Sequence, residues 1–390
     1  MLARAAAAAL AGAGLFGAPV PAAWAQAAPA APSASSASSA ALPAELFFQP
    51  PKVLDVALSP SGSRLALSAQ AANKRVGVFV VDLQRSGMPM TRAVLFNDAD
   101  VPQFHWVDDE RLVFGAADML VGSGDARQRA PGLYAVRHDG QELKHLVEHE
   151  GRPFVTNGDR VRTLPWNHVL LHVPAVGDQA QAARADQVII GELHFRHGEL
   201  GNVEPLWLNT RTGAVRRLDA GAVPDGAVQW WFTPQGVPRL VRTLQDGREA
   251  LHWHTPAADG SAGPWRRIAE ARVQQLAFQP LWVGQGDRLF VSLPRGPAGE
   301  SVVAPFDFST GAPGETLVSA PGFDFMGSLI GDRAGEQLLG VRVDTDAEQT
   351  VWFNPAIKAA QQLVDARLPG RVNRITCRRC GGPDAVMLVR

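Results

Sequence analysis

From Val53 to Arg390, apolar and aromatic residues come in short runs, often alternating with polar ones, and clusters of Gly, Pro, Asp or Asn cut one run from the next. Alternation at period two marks a half-buried strand, and the Gly/Pro punctuation marks turns. No stretch keeps a helical period for three turns. The pattern predicts strands throughout and no long helix.

The runs repeat in a fixed internal order. An inner pair has the form strand, Gly/Asp turn, strand: LDVALSPSGSRLALSA (54–69), FHWVDDERLVFGA (104–116), VQWWFTPQGVPRLVRT (228–243), LWVGQGDRLFVSL (281–293) and MGSLIGDRAGEQLLGVRV (326–343). An outer hairpin follows: VFVVDLQRSG (78–87), GLYAVRHDGQELKHLV (132–147), PLWLNTRTGAVRRL (205–218), VVAPFDFSTGAPGETLV (302–318) and TVWFNPAIKAAQQLV (350–364), with a divergent LHWHTPAADGSAGPWRRI (251–268). Four strands per unit, recurring about every 45–70 residues, is the blade of a β-propeller, whose repeats are typically ~40–50 residues. The expected fold is therefore an all-β propeller of six full blades (about 53–94, 104–147, 164–218, 228–268, 276–318 and 323–365) plus a partial seventh in 371–390. The third unit is long, and its 174–186 segment reads as an inserted loop. A β-sandwich also yields short strands and turns, but it does not group them in fours with a repeating order.

LDVALSPSGSRLALSA, WVDDERLVF followed by GLYAVRHDG, and the closing LPGRVNRITCRRCGGPDAVMLVR resemble the amino-terminal propeller of bacterial serine peptidases of the prolyl-oligopeptidase family, over essentially all of 43–390. The resemblance implies a propeller that filters substrate by size, followed by an α/β-hydrolase domain carrying Ser, Asp and His. The nucleophile of that domain needs a G-x-S-x-G turn. Gly122-Ser123-Gly124 and Gly327-Ser328 lack the spacing, and no other pentapeptide supplies it. No catalytic residue is expected in this chain. The reading adopted is a non-catalytic, substrate-gating portion of an exported peptidase, truncated before its catalytic domain. A premature stop and a six-bladed ring with a tail are the other accounts of the unfinished blade. In a different class stands a stand-alone periplasmic propeller that binds a protein partner.

Composition narrows the partners. With 37 Lys+Arg against 38 Asp+Glu, a formal net charge of −1 offers no basic face for nucleic acid. Arg4, the apolar stretch Ala5–Val20 and the small residues around Ala23-Trp24-Ala25 have the layout of a signal peptide, 1–25. Residues 26–42, rich in Ala, Ser and Pro, read as a disordered linker, and 43–390 as the propeller domain. A periplasmic or secreted protein follows, with no membrane span after signal cleavage. Peptide substrates reaching the tunnel of a peptidase are the expected partners.

Other residues invite chemistry less strongly. Cys377-x-x-Cys380 is read as a disulfide across a tight turn, with free thiols and metal or redox use as alternatives. His252 and His254 alternate on one strand and are taken as surface residues flanking a core Trp253. His194-x-x-His197 points to opposite faces of a strand, which opposes shared ligation. Asp108-Asp109-Glu110 is assigned to a turn. Glu192 and Glu199 lie in the atypical third unit, where a substrate's amino terminus would be held in some relatives. Trp106, Trp166, Trp207, Trp230, Trp231, Trp253, Trp282 and Trp352 are read as packing between blades. No metal or cofactor is expected.

Overall fold

The computed structural model describes residues 43, 51–119, 131–149, 163–175, 185–257, 263–333, 335–379 and 385–390. The expected signal peptide and linker, and residues 176–184 of the expected insertion, lie outside the described residues. Pro51–Arg390 forms one compact unit.

Among the described residues, seven antiparallel sheets follow one another along the chain. The first five have four strands each, joined in sequence order: β1 (Val53–Leu58), β2 (Arg64–Gln70), β3 (Val76–Asp82) and β4 (Met90–Val94); β5 (Phe104–Trp106), β6 (Arg111–Phe114), β7 (Leu133–Arg137) and β8 (Lys144–Val147); β9 (His168–His172), β10 (Gln187–Arg196), β11 (Glu199–Asn209) and β12 (Val215–Arg217); β13 (Ala227–Phe232), β14 (Pro238–Gln245), β15 (Arg248–His254) and β16 (Trp265–Arg272); β17 (Gln279–Val283), β18 (Leu289–Pro294), β19 (Ser301–Asp307) and β20 (Ala312–Pro313). The sixth has three strands, β21 (Gly327–Gly331), β22 (Leu338–Asp344) and β23 (Glu348–Trp352), and the last has two, β24 (Ile375–Arg378) and β25 (Val386–Val389). They form a six-bladed propeller with a partial seventh blade, as the repeat predicts.

The apolar runs are explained by stacking. A blade between two others buries both faces, so its middle strands need apolar residues at every position. In β7, Tyr134 and Val136 pack towards the first blade, while Leu133 and Ala135 pack towards the third. All four are buried to within a few per cent. Apolar clusters fill the successive seams between blades one and six and continue from Trp352 and Ile357 to Ile375 of the seventh.

The seam between the last sheet and the first is different. Among the described residues no buried apolar cluster spans it. Arg378 donates from Nη2 to Leu58 O (2.8 Å) and from Nε to Ser59 O (3.1 Å), and Arg390 pairs with Asp55 at 3.3 Å. Gly62, at φ +77°, lies so close to Val386 that a Cβ there would sit 3.0 Å from its side chain. On the first blade, Ala66, Ser68, Val78 and Val80 face the second blade's side and are buried, whereas Leu65, Leu67, Phe79 and Val81 are only half-buried. A cavity of 560 Å³ opens beside the seam, bordered by Val53, Asp55, Glu348, Val372, Arg374 and Arg390.

One prediction is corrected. The outer pair expected at 350–364 contains a single strand, β23, followed by helix α1 (Pro355–Arg367). Asn354 caps it by accepting from the N–H groups of Ala356 (3.0 Å) and Ile357 (3.1 Å), and Pro355 occupies its first turn. AIKAAQQLVDAR is rich in strong helix formers and contains no glycine or internal proline. The strand reading missed it because the helix buries only Ile357 fully and so carries little apolar periodicity. Gln361 ties α1 to its surroundings, accepting from Trp352 Nε1 at 3.1 Å and donating to Asn373 O at 2.9 Å.

Replacing Asn354 by Ala should cost about 1 kcal/mol through the lost cap, and Ile357→Ala about 2–5 kcal/mol through the lost contacts with Trp352 and Ile375. Urea unfolding followed by tryptophan fluorescence checks both, with the second midpoint expected clearly lower than the first.

Candidate functional site

The first strands of successive blades approach one another around the axis, and their hairpin turns gather at one end of the ring. There, Asp108 accepts from the N–H groups of Glu110 (2.6 Å) and Arg111 (2.7 Å), the turn role expected for it. Asp109 reaches the neighbouring blade, accepting from Ser61 N–H at 2.9 Å and Ser61 Oγ at 2.7 Å. Burial pushes the Asp109 carboxyl up, but the Ser61 hydrogen bonds outweigh it and hold it below the usual carboxylate range. Burial raises Asp108 instead. The turn of the sixth blade crosses to several others: Gln235 donates to Arg333 O (2.8 Å), Gln285 N–H to Gly335 O (2.7 Å), and Arg333 to Pro60 O (3.5 Å). This end is tied across.

The opposite end carries the largest irregularity of the ring. β10 and β11 run for 10 and 11 residues, so their hairpin projects beyond the blade. Val188 to Gly191 are buried, and exposure begins at Glu192. His197 (φ 53°) and Gly198 (φ 84°) make the turn, the pair of positive φ values that a tight two-residue hairpin requires. Near the tip the register shifts: Phe195 pairs with Leu200 but His194 pairs with Asn202, leaving Gly201 as the extra residue of a bulge. The shift sets Glu192 directly opposite Glu204.

Three side chains therefore meet on one face. His194 Nε2 lies 3.7 Å from Glu204 Oε2 and 4.0 Å from Glu192 Oε2, and Arg217 Nε lies 2.8 Å from Glu204 Oε1. His194, Glu204 and Arg217 border a cavity of 1010 Å³ between the third and fourth blades, whose lining also includes Arg196, Asp219 and Trp230. Trp230 is fixed by donating from Nε1 to Val203 O at 2.9 Å. On the outside of the same hairpin, Phe195 is 48% exposed and Trp166 38%, with ring centroids 6.0 Å apart.

The other candidates separate. Glu199 pairs with Arg196 at the hairpin tip, away from Glu192, so the two glutamates singled out in the sequence do not converge. His197 occupies the turn and does not join His194. Trp253 is core, 1% exposed, but His254 is not a surface residue: it is 2% exposed, with Nδ1 2.9 Å from Pro238 O and its ring stacked on Trp265 at 4.6 Å. Its strand is sandwiched between two blades, which buries both faces. Of the tryptophans, Trp106, Trp207, Trp253 and Trp352 are buried, whereas Trp166 is exposed and departs from the packing role. Cys377 lies on β24, and Cys380 lies outside the described residues, as does the pairing expected between them. Glu204 escaped the sequence reading, and Gly201 followed by Asn202 is the signal that a bulge would have left.

No protein-family model matches the chain, and no curated protein sequence matches it. Solved structures do. Acylaminoacyl peptidase of Pyrococcus horikoshii shares 11% identity over 84% of this chain and 48% of its own, with a TM-score of 0.39. The β-propeller domain of the Trilobed protease from Pyrococcus furiosus shares 11% over 78% and 86%, with a TM-score of 0.32. Prolyl oligopeptidase B of Galerina marginata shares 10% over 72% and 39%, with a TM-score of 0.39. Each is a likeness of fold. The chain spans about half the length of the acylaminoacyl peptidase.

A histidine on a first strand gives the ring a pH dependence. Burial lowers His172 on β9 below the ordinary imidazole value, with the Pro234 carbonyl opposing and His105 adding to the effect. The folded chain takes up this proton less readily than the unfolded chain, so stability falls as pH drops below about 6.5. The urea midpoint should fall between about pH 7.5 and about pH 5.5. The fall should be smaller in His172→Gln, and equal midpoints in the unaltered protein would contradict the assignment.

Proposed function

We propose that the chain is the substrate-gating propeller portion of an exported prolyl-oligopeptidase-like serine peptidase, read without its catalytic domain. The observation that supports this reading is the unfinished seam. Leu65, Leu67, Phe79 and Val81 of the first blade are half-covered, the seventh sheet has two strands, and the two sheets meet through arginine side chains. The outer strands of a complete seventh blade would cover that face, and a longer chain would supply them. In this reading the propeller sets the size of peptide that reaches a hydrolase domain and performs no bond cleavage itself. The end tied across by Arg333 favours entry at the opposite end, beside the projecting hairpin.

A second reading has its own support. Phe195 and Leu200 near the tip of the β10–β11 hairpin, with Trp166 from the turn before β9 against Phe195, form an exposed apolar patch, which suits a periplasmic scaffold that holds a protein partner.

The genomic frame beyond Arg390 separates the two: a continuing or frameshifted frame encoding G-x-S-x-G, then Asp, then His is expected, and a genuine stop before an unrelated gene would favour the scaffold. The purified 390-residue chain should take no fluorophosphonate label, and covalent labelling of any of its serines would overturn the non-catalytic assignment. It should also aggregate or dimerise through the open edge of the last sheet. Size-exclusion chromatography should show a form extended to finish the seventh blade to be the better-behaved monomer, whereas a monodisperse unextended monomer would count against the gating portion.

A further inference from the structure

Glu192 and Glu204 pose an electrostatic problem. Like charges directly opposite on antiparallel strands destabilise the pair, and the bulge at Gly201 creates this opposition where an unbroken register would avoid it. Arg217 answers only half of it, through Glu204 Oε1. Glu204 Oε2 and Glu192 Oε2 are turned towards His194 Nε2. One ligand atom from each of the three lies within 4.8 Å of the others.

We propose that Glu192, His194 and Glu204 bind a divalent cation of the zinc type, with a further coordination position open to the 1010 Å³ cavity. Ligands of a tetrahedral zinc at about 2.0–2.2 Å are about 3.4 Å apart, so the observed 3.7 and 4.0 Å close onto an ion by side-chain rotation alone. The imidazole nitrogen selects against magnesium and calcium, which take oxygen ligands. The arrangement resembles a metal centre beyond its ligands as well. Arg217 holds one oxygen of Glu204 and leaves the other for the ion, the outer contact that orients a metal-bound carboxylate. Glu192 and His194, two residues apart on β10, share a face, and the register supplies the third ligand from β11. The cation would neutralise the opposed carboxylates and pin the projecting hairpin at the cavity mouth. This proposal is independent of the peptidase reading.

The test titrates the metal-stripped 390-residue protein with Zn²⁺, followed by calorimetry and by the fluorescence of Trp230 and its neighbours. One saturable equivalent is expected, undiminished by excess Mg²⁺. His194→Ala and the double variant Glu192→Gln/Glu204→Gln should each bind at least about tenfold more weakly, and Arg217→Ala about tenfold more weakly through the lost outer contact. Unchanged affinity in His194→Ala, or no saturable binding by the unaltered protein, would overturn the site. Should a variant fail to fold, anomalous scattering at the zinc edge from crystals of the unaltered protein decides: a peak among the three side chains supports the site, and zinc bound only elsewhere refutes it.

Discussion

A ring of radial sheets holds together only where its last sheet meets its first. Every other seam of this propeller is a consequence of chain order, because blades consecutive in the chain lie side by side and fall together by burying apolar side chains. The closing seam joins residues more than three hundred positions apart: Arg378 spans to the carbonyls of Leu58 and Ser59, and Arg390 to Asp55. Gly62 is the steric counterpart of these bonds. Its positive φ forms the β1–β2 turn, and its missing side chain makes room for Val386. The turn that starts the ring is thus shaped by the strand that ends it.

Most of this architecture is written in local sequence. Turns such as SPSG and HDG fix where strands end, and continuous apolar runs such as LYAV announce a strand buried on both faces. Because the same logic recurs in each blade, an error in one unit is outvoted by the others. Helix α1 is where the repetition misled: its place in the unit predicts an outer strand, and its residues favour a helix. The outer rim tolerates the exchange because little packs against it, and only Ile357 has to be buried. His254 was misread for the complementary reason. A histidine looks like a surface residue in isolation, and its burial depends on Trp265, its partner on the neighbouring strand β16 of the same blade, whose ring stacks on it.

The candidate site was legible only in part. Glu192 and His194 are visible as alternate residues of one strand, but their partner depends on register. Counting back from the His197-Gly198 turn without interruption sets Glu192 opposite Val203, and the extra residue at Gly201 moves it to Glu204. A shift of one residue turns a strand's side chains to the other face, so this single bulge decides whether two carboxylates and an imidazole meet. No property of Glu204 itself carries that information. The exposed pair Trp166 and Phe195 was hidden in the same way, since composition does not tell a tryptophan between blades from one beside a hairpin that has left them.

The unequal seams also say where the ring yields. Opening an apolar seam exposes surface at about 25 cal/mol per Å² with no compensation from water. Opening the closing seam exchanges hydrogen bonds from Arg378 and Arg390 for bonds to water, and such exchanges are worth only about 0.5–3 kcal/mol each. The adjacent 560 Å³ cavity leaves one side of it open. Separation between the last and first sheets is therefore the least costly large motion of the fold, and the apolar contacts of α1 with Trp352 and Ile375 keep the last sheet attached to the sixth blade as it moves. Leu65, Leu67, Phe79 and Val81 stay half-buried for the same reason: the contacts that join the first and last sheets are made mainly by arginine side chains.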